Sequence, residues 1–167
     1  MQKIKLLKYL IFLIIIIVSA HFISSYCVQR VDVHCDSMEP VLSDGEIYLM
    51  EKLSYRIHEP KRFDLVVFRY YYDDDSNYIK RVIGLPGETV QIIDGEIYID
   101  GERLEDPYGD YIEKPKRAAD PVLLGDDEYF VLGDNRGSSS DSRDSDVGNV
   151  KKNQILGKVW IKIWQKH

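Results

Sequence analysis

The feature that most constrains this chain is a long uncharged stretch near its N-terminus. From Tyr9 to Gln29 there are 21 residues without Asp, Glu, Lys or Arg. As an α-helix rising about 1.5 Å per residue, this stretch covers roughly 31 Å, which is the thickness of the hydrocarbon core of a bilayer. The sequence therefore predicts a transmembrane helix ahead of everything else in the chain.

A cleaved secretory signal peptide is the alternative, because "KYLIFLIIIIVSA" resembles a charged segment followed by a short apolar core. Such a peptide ends at a small-x-small cleavage site. Here Ser24 and Ser25 precede Tyr26, and Tyr26 before Cys27 also fits a lipoprotein signal poorly. We therefore favour a cytoplasmic N-terminus and retained anchor over residues 1–29, followed by a second domain over residues 30–167.

The charges flanking the span predict its orientation. Lys3, Lys5 and Lys8 precede the span, whereas Arg30 after it is closely followed by Asp32. Because positively charged flanks stay in the cytoplasm, we expect the N-terminus there and residues 30–167 on the extracytoplasmic side. The predicted location is the cell membrane, with a single pass, and the lipid bilayer is an expected partner.

Beyond the span the chain is acidic. Residues 30–167 hold 19 basic and 28 acidic residues, a formal charge of −9, so we expect no nucleic-acid partner. Cys27 and Cys35 lack the spacing of a metal site, and we expect no metal ion or cofactor. A disulfide between the two cysteines is compatible with an extracytoplasmic location, but two cysteines do not make a disulfide scaffold.

The part beyond the span alternates with period two, which is typical of β-strands. The strand-like runs are rich in Ile, Val and Tyr: "EIYLMEK", "DLVVFRYYY", "NYIKRVIG", "ETVQII", "EIYID", "EYFVLG" and "ILGKVWIKIW". Within "TVQIIDGEIYIDGERL" the pairs Asp94-Gly95 and Asp100-Gly101 predict hairpin turns. The pattern indicates an antiparallel, mostly β domain.

Three polar segments are predicted to be loops: "YYYDDDSNY", "LEDPYGDYIEKPKRAADP" and "RGSSSDSRDSDVGN". In the first, we assign Asp73, Asp74 and Asp75 to a solvated hairpin tip, because the ligand pattern of a calcium site is missing. The third would pass for a flexible linker on composition alone.

The stretch "VHCDSMEPVL" raises the question of a nucleophilic serine, Ser37. The G-x-S-x-G elbow of the α/β hydrolases is absent, since Cys35 and Glu39 occupy the glycine positions. A histidine base finds no support either. His21 lies in the span and His167 ends the chain, while the remaining histidines, at positions 34 and 58, have no triad context.

Lysine is the other known partner of a catalytic serine, and "NYIKRVIGLPGE" contains Lys80 in an apolar setting. On a strand, Lys80 and Arg81 point to opposite sides, so one side chain can be buried while the other stays exposed to solvent. Lowering a lysine pKa by two to three units through burial costs about 3 to 4 kcal/mol. A largely apolar β core can provide the buried environment that this shift requires. A surface lysine lying along the protein remains the alternative.

Four motifs, in order behind the span, resemble those of type I signal peptidases: "SMEPVL", "FDLVVF", "YIKRVIGLPGETV" and "VLGDNRGSSSDSRDSDVGNV". The likeness covers most of the chain and is greatest to the short, single-anchor form of Gram-positive bacteria. Eukaryotic and archaeal relatives have histidine in place of Lys80. The resemblance implies a mainly β fold, with an N-terminal transmembrane helix followed by an antiparallel β catalytic domain of the signal peptidase and LexA-like type.

The resemblance also implies roles for individual residues. Ser37 would be the nucleophile and Lys80 the general base, with Ser139 orienting the lysine amine. The oxyanion hole would use the backbone N–H of Ser37 and a group two residues earlier, where the family often has Gly or Ser and this chain has Cys35, a weak donor. Two structural ion pairs are implied, Asp141 with Arg143 and Asp134 with Arg81.

The implied partners are the signal peptides of exported preproteins, cut after small-x-small residues. Apolar side chains would line the pockets that accept the small residues: Val33, Met38, Leu42, Tyr78 and Ile79. A non-catalytic signal-peptidase-like membrane assembly factor is the alternative, which the altered Cys35 keeps open. A self-cleaving repressor of the same Ser/Lys type would need a DNA-binding helical domain where this chain has its span.

Overall fold

A long apolar helix leads directly into a β domain. In the computed structural model, residues 2–70 and 77–165 are described, with side chains from Lys5 onward, so Asp73, Asp74 and Asp75 lie outside the described residues. Helix α1 covers Gln2–Phe22, and one π-helical turn, Ile23–Cys27, joins it to the first strand. Lys5–Cys27 is long and apolar enough to cross a membrane, and residues 5–26 are all exposed.

Eleven strands follow α1 within the described ranges, together with a one-turn helix α2 (Ser54–Ile57) and short 3-10 turns at Lys116–Ala119 and Lys152–Gln154. The strands are β1 Val28–Asp32, β2 Ile47–Glu51, β3 Leu65–Arg69, β4 Asn77–Gly84, β5 Thr89–Ile93, β6 Glu96–Ile99, β7 Glu102–Arg103, β8 Val122–Leu123, β9 Glu128–Leu132, β10 Val150–Lys151 and β11 Ile155–Trp164.

The strands form two antiparallel sheets. Seven are arranged in the order β1-β2-β11-β3-β4-β9-β10, and four in the order β7-β6-β5-β8. Every pairing between described strands is antiparallel. The mainly β class with one N-terminal helix is therefore confirmed.

The smaller sheet contains the predicted hairpins. β5 pairs with β6, and β6 with β7. At the first turn Asp94 and Gly95 have φ of 48° and 78°, and at the second Asp100 and Gly101 have φ of 52° and 85°. Positive φ at both central residues is the geometry of a type I′ turn, for which Asp-Gly is a preferred pair.

One strand was not expected from the sequence. β1 begins at Val28, two residues before the predicted domain boundary, and pairs along its length with β2. The alternation of apolar and polar residues in β1 covers only five residues and follows the apolar segment directly, so the sequence does not indicate where the strand begins. Because β1 belongs to the large sheet, the helix and the β domain are joined without a linker.

The two sheets pack on each other through branched and aromatic side chains. Ile83, Phe130 and Leu132 of the large sheet lie in one fully buried cluster with Val90 and Ile92 of the smaller sheet. A second cluster joins the segment after β1 to the large sheet and includes Met38, Leu42, Val67 and Ile79. The large sheet thus supplies an apolar floor directly below the segment that contains Ser37.

Close contact between β11 and β2 gives a stability prediction. A Cβ at Gly157 would lie 2.2 Å from the backbone oxygen of Glu51 and 2.7 Å from Met50 Cγ. Since the Glu51 oxygen is backbone, Gly157→Ala should lower the free energy of unfolding by about 1 to 3 kcal/mol. The loss should be measurable by denaturant titration in detergent, followed by tryptophan fluorescence.

Gly125→Ala is the matched control, because the nearest atom to a Cβ there is Glu128 Cδ at 3.4 Å, an ordinary contact with a side chain. The control should unfold within about 0.5 kcal/mol of the parent protein. Equal stability of the two variants would contradict the proposed tight packing of β11 on β2.

Candidate active site

Ser37 lies in the segment that connects β1 to β2. The chain leaves β1 at Asp32 and turns at residues 37–41, where the N–H groups of Val41 and Leu42 donate to the carbonyl oxygen of Met38 at 3.0 and 2.9 Å. This turn fixes the backbone around the serine. Ser37 is only 5% exposed, so its hydroxyl lies at the base of a cleft rather than on the surface.

Lys80 lies on β4, which is flanked by β3 and β9 in the large sheet. Its Nζ is 2.7 Å from Ser37 Oγ, and the residue is 3% exposed. Burial lowers the pKa of Lys80, against smaller opposing effects from Cys35, Asp141 and Asp134. A neutral amine at this distance is able to accept the serine proton.

Arg81, the neighbour of Lys80, is also buried. The expectation that one of these two cations is exposed to solvent is therefore wrong. The guanidinium of Arg81 forms a bidentate pair with Asp134, with Nε–Oδ1 and Nη2–Oδ2 distances of 2.7 and 2.6 Å. It also donates to the backbone oxygen of Phe63 and lies 3.6 Å from the centre of the Tyr108 ring. A paired carboxylate makes burial of this charge tolerable.

Asp141 and Arg143 form a second buried pair in the segment between β9 and β10, residues 133–149, which we call the serine-rich loop. Arg143 Nε and Nη2 donate to the two carboxylate oxygens of Asp141 at 2.8 Å each, and Nη2 also donates to the backbone oxygen of Arg136. Burial by itself raises the pKa of Asp141, but the hydrogen bonds and charge of Arg143 outweigh this and hold that pKa below its usual range. These buried hydrogen bonds hold the loop in one conformation, so it is not the flexible linker that its composition suggests.

The serine-rich loop also holds the backbone of the nucleophile. The N–H of Asn135 donates to the Ser37 carbonyl oxygen at 3.1 Å, and its side-chain amide donates to the Asp36 carbonyl oxygen at 3.2 Å. Ser138 Oγ donates to the Asp36 carboxylate at 3.1 Å. Sequence reasoning did not single out Asn135 or Asp36, although both lie inside the quoted motifs, because each resembles an ordinary polar loop residue.

Ser139 lies close to this centre but does not contact the lysine amine. Its Oγ is buried and has no hydrogen-bond partner among the described residues. The hydroxyl packs over Gly133, where an added Cβ would lie 2.3 Å from it, and it helps to lower the pKa of Asp141. The structure therefore places the Ser139 hydroxyl beside the Asp141 carboxylate, where it helps to stabilise the charged form, rather than on the lysine amine.

The thiol of Cys35 is beside the nucleophile. Cys35 Sγ lies 3.1 Å from Ser37 Oγ, on the exposed rim of the cleft. Cys27, at the end of the π-helical turn, is not bonded to it, and both cysteines are free thiols in this structure. A weak donor thus occupies the position next to the reacting oxygen.

A cleft of about 640 Å³ opens beside the dyad. Four of the five predicted pocket residues line it, namely Val33, Met38, Tyr78 and Ile79. Leu42, the fifth, is buried in the apolar cluster that contains Met38 and does not line the cleft.

Three further apolar residues also line the cleft, namely Val31 on β1, Met50 on β2 and Val67 on β3. Sequence reasoning missed them, because an alternating apolar residue in a strand has the same pattern whether it lies in the core or lines a pocket.

Comparisons with known proteins give the family. Residues 6–164 match the family model described as signal peptidase, peptidase S26. The chain is 36% identical to a signal peptidase I of Bacillus licheniformis, over 93% of this chain and 87% of that one. It is 31% identical to signal peptidase IB of Staphylococcus aureus, over 98% and 92% of the two chains.

A probable signal peptidase I-2 of Synechocystis is 37% identical over 77% of this chain, which spans 59% of that longer protein. Among solved structures, a signal peptidase I of Enterococcus faecalis is similar at a TM-score of 0.50 and 32% identity, covering 62% of this chain and 99% of that chain. The family resemblance seen in the motifs is thus confirmed, and the chain belongs to the peptidase S26 family of signal peptidases, which are serine peptidases.

Proposed function

We propose that the chain is a membrane-anchored serine endopeptidase that removes N-terminal signal peptides from exported preproteins through a Ser/Lys dyad. The observation that carries the proposal is the 2.7 Å contact between the buried Lys80 amine and the Ser37 hydroxyl. A lysine removed from water is a competent base near neutral pH, and a serine beside it is an activated nucleophile.

The chemistry follows from this contact. Ser37 Oγ bonds to the scissile carbonyl carbon while its proton passes to Lys80 Nζ. The protonated amine then donates that proton to the leaving nitrogen as the C–N bond breaks, which leaves an acyl-enzyme. Lys80, neutral again, takes a proton from a water molecule that attacks the ester, and returning this proton to Ser37 Oγ restores the enzyme.

The tetrahedral intermediate needs hydrogen-bond donors for its oxyanion. The backbone N–H of Ser37 is one donor, and the Cys35 thiol, 3.1 Å from Ser37 Oγ, is the second. Since a thiol donates more weakly than a hydroxyl, we expect the oxyanion to be less stabilised than it would be with a serine at position 35. Ser139 is proposed to hydrogen-bond the lysine amine when substrate is bound, because its buried hydroxyl makes no hydrogen bond of ordinary geometry to any described residue.

Substrate choice follows from the apolar wall of the cleft. Val33, Met38 and Ile79 line the cleft and are at most 6% exposed, so they form a packed apolar floor whose bulk restricts the space for substrate side chains. We therefore propose cleavage after small-x-small residues, with larger side chains excluded by steric overlap. Tyr78 lines the same wall.

The anchor places this chemistry where signal peptides emerge. Residues 1–29 are proposed as the cytoplasmic N-terminus and membrane span, and residues 30–167 as the extracytoplasmic catalytic domain. The three lysines ahead of the span support this orientation. Confinement to the bilayer surface raises the effective concentration of enzyme and substrate.

Replacing either dyad residue should abolish cleavage. Purified full-length Ser37→Ala and Lys80→Ala should each process an Ala-x-Ala preprotein in detergent at least about 10³-fold more slowly than the parent. Ser139→Ala should weaken cleavage without abolishing it. Gel analysis of precursor and mature bands measures all three rates.

Exposed residues outside the cleft provide controls for these variants. Ser145→Ala and Lys114→Ala should cleave at the parental rate. If the two dyad variants also process substrate at that rate, the dyad is wrong and the non-catalytic assembly factor becomes the better interpretation.

The pH dependence of cleavage should report the lowered pKa of Lys80. Because the neutral amine is the active form, kcat/KM should rise with pH and level off well below the ordinary lysine value of about 10.4. If kcat/KM is still rising with pH at that value, the Lys80 amine is not buried and neutral as proposed.

Cys35→Ser should accelerate cleavage, because a hydroxyl is the stronger oxyanion donor. We expect a gain of roughly tenfold in kcat with little change in KM. Cys27→Ser, at the other free thiol, should leave both constants unchanged. Equal or lower kcat in Cys35→Ser would show that the thiol does not serve the oxyanion.

A further inference from the structure

A second cavity, separate from the dyad, is strongly cationic. It has a volume of about 760 Å³. Its lining residues within the described ranges 2–70 and 77–165 are Gln29, Lys52, Tyr55, Arg56, Arg69, Asn77, Lys152, Ile155 and Leu156, which include four cations and no carboxylate. In a chain with 28 acidic and 22 basic residues, this local excess of positive charge is the reverse of the overall balance.

The cavity lies at the end of the large sheet where α1 leaves it. The sheet is antiparallel, so Val28 at the start of β1 faces Glu51 at the end of β2, and Arg69 at the end of β3 faces Asn77 at the start of β4. β11 also starts at this end, with Ile155 facing Phe68 of β3.

Lys52 ties this end of the sheet to the last turn of the apolar segment. Its N–H donates to the Cys27 carbonyl oxygen at 2.9 Å, and its Nζ donates to the Ser25 carbonyl oxygen at 3.3 Å. When α1 spans the bilayer, the cavity therefore lies at the depth of the lipid headgroups.

The cations of this cavity are largely available. Arg56 and Arg69 are exposed, and neither guanidinium forms a hydrogen bond or ion pair within residues 2–70 and 77–165. The side chain of Lys52 contacts only a backbone oxygen. Lys152 is the exception, since it is paired with Glu59.

Two carboxylates of the described residues near the cavity in sequence are engaged elsewhere. Glu51 accepts the N–H groups of Leu53 and Ser54, and Asp64 is paired with Lys158.

Two exposed apolar side chains are sequence neighbours of residues that line the cationic cavity. Leu53 is 41% exposed and Ile57 is 77% exposed, and they lie four residues apart at the two ends of α2, next to Tyr55 and Arg56. Residues at this spacing share one face of a helical turn. A cationic cavity whose lining residues neighbour exposed aliphatic side chains suits a ligand that has both an anionic head and an apolar tail.

We propose that this cavity binds the phosphate headgroup of an anionic phospholipid, with Lys52, Arg56 and Arg69 as the binding cations. The proposal rests on the membrane anchoring proposed above. Gln29 and Asn77 line both this cavity and the catalytic cleft, so the bound headgroup lies next to the side of the cleft that faces the membrane. The lipid would fix the height and tilt of the β domain.

The test uses the full chain carrying Ser37→Ala, so that its outcome does not depend on catalysis. The protein in dodecyl maltoside is mixed with phosphatidylglycerol or with phosphatidylcholine, and native mass spectrometry counts the lipids retained. We expect preferential retention of phosphatidylglycerol. Equal retention of the two lipids would overturn the proposal whatever the cleavage assays show.

Two matched double variants locate the site. Arg56→Gln with Arg69→Gln should lower the apparent affinity for phosphatidylglycerol about tenfold or more, because each cation near an anionic surface contributes several-fold. Lys61→Gln with Lys114→Gln removes the same charge from exposed positions outside the cavity and should retain the lipid like the parent. Parental retention by the arginine double variant would overturn the assignment.

A third arm separates a lipid site from a site for free phosphate. Inorganic phosphate is titrated against the phosphatidylglycerol complex. Persistence of the complex at millimolar phosphate supports the lipid, since the tail adds apolar contacts that the free ion lacks. Displacement of the lipid at micromolar phosphate would show that the cavity recognises the soluble anion and would overturn the lipid assignment.

Discussion

The rest of the structure depends on one amine being kept out of water. Lys80 belongs to a strand in the interior of the large sheet, and the surrounding side chains remove the solvent that would otherwise favour its charged form. That arrangement costs stability, because lowering a lysine pKa by burial opposes folding at neutral pH. The apolar contacts between the two packed sheets offset this cost. The cleft lies beside Ser37 and Lys80.

Two further buried cations, Arg81 and Arg143, differ from Lys80 because each forms a salt bridge. Each is paired with a carboxylate, Asp134 and Asp141, and both carboxylates belong to the serine-rich loop. Loss of one member of a buried pair typically costs about 3 to 5 kcal/mol, so these pairs hold the loop in one position against the nucleophile segment. The site therefore combines a buried lysine that has no carboxylate in a salt bridge, and whose pKa is lowered by burial, with two buried arginines that are each paired with a carboxylate.

Much of the architecture was predictable from residue patterns. Alternation located the main strands, and Asp-Gly pairs located the hairpin turns. Spacing alone left the base of Ser37 undecided, and only the resemblance between motifs assigned it to Lys80. Patterns did not reveal β1, the burial of Arg81 or the contribution of Met50 to the cleft, since these depend on tertiary contacts between segments far apart in sequence.

The direct passage from the π-helical turn into β1 has a mechanical consequence. Ser37 is the tenth residue after Cys27, and an extended chain advances about 3.3 Å per residue, so the serine lies no more than roughly 33 Å from the end of the apolar segment. Because the first five residues after Cys27 are hydrogen-bonded into the sheet, this distance cannot stretch or contract freely. If the apolar segment spans a bilayer as proposed, this short connection holds Ser37 at a nearly constant height above the membrane surface, and only peptide bonds at that height can reach it.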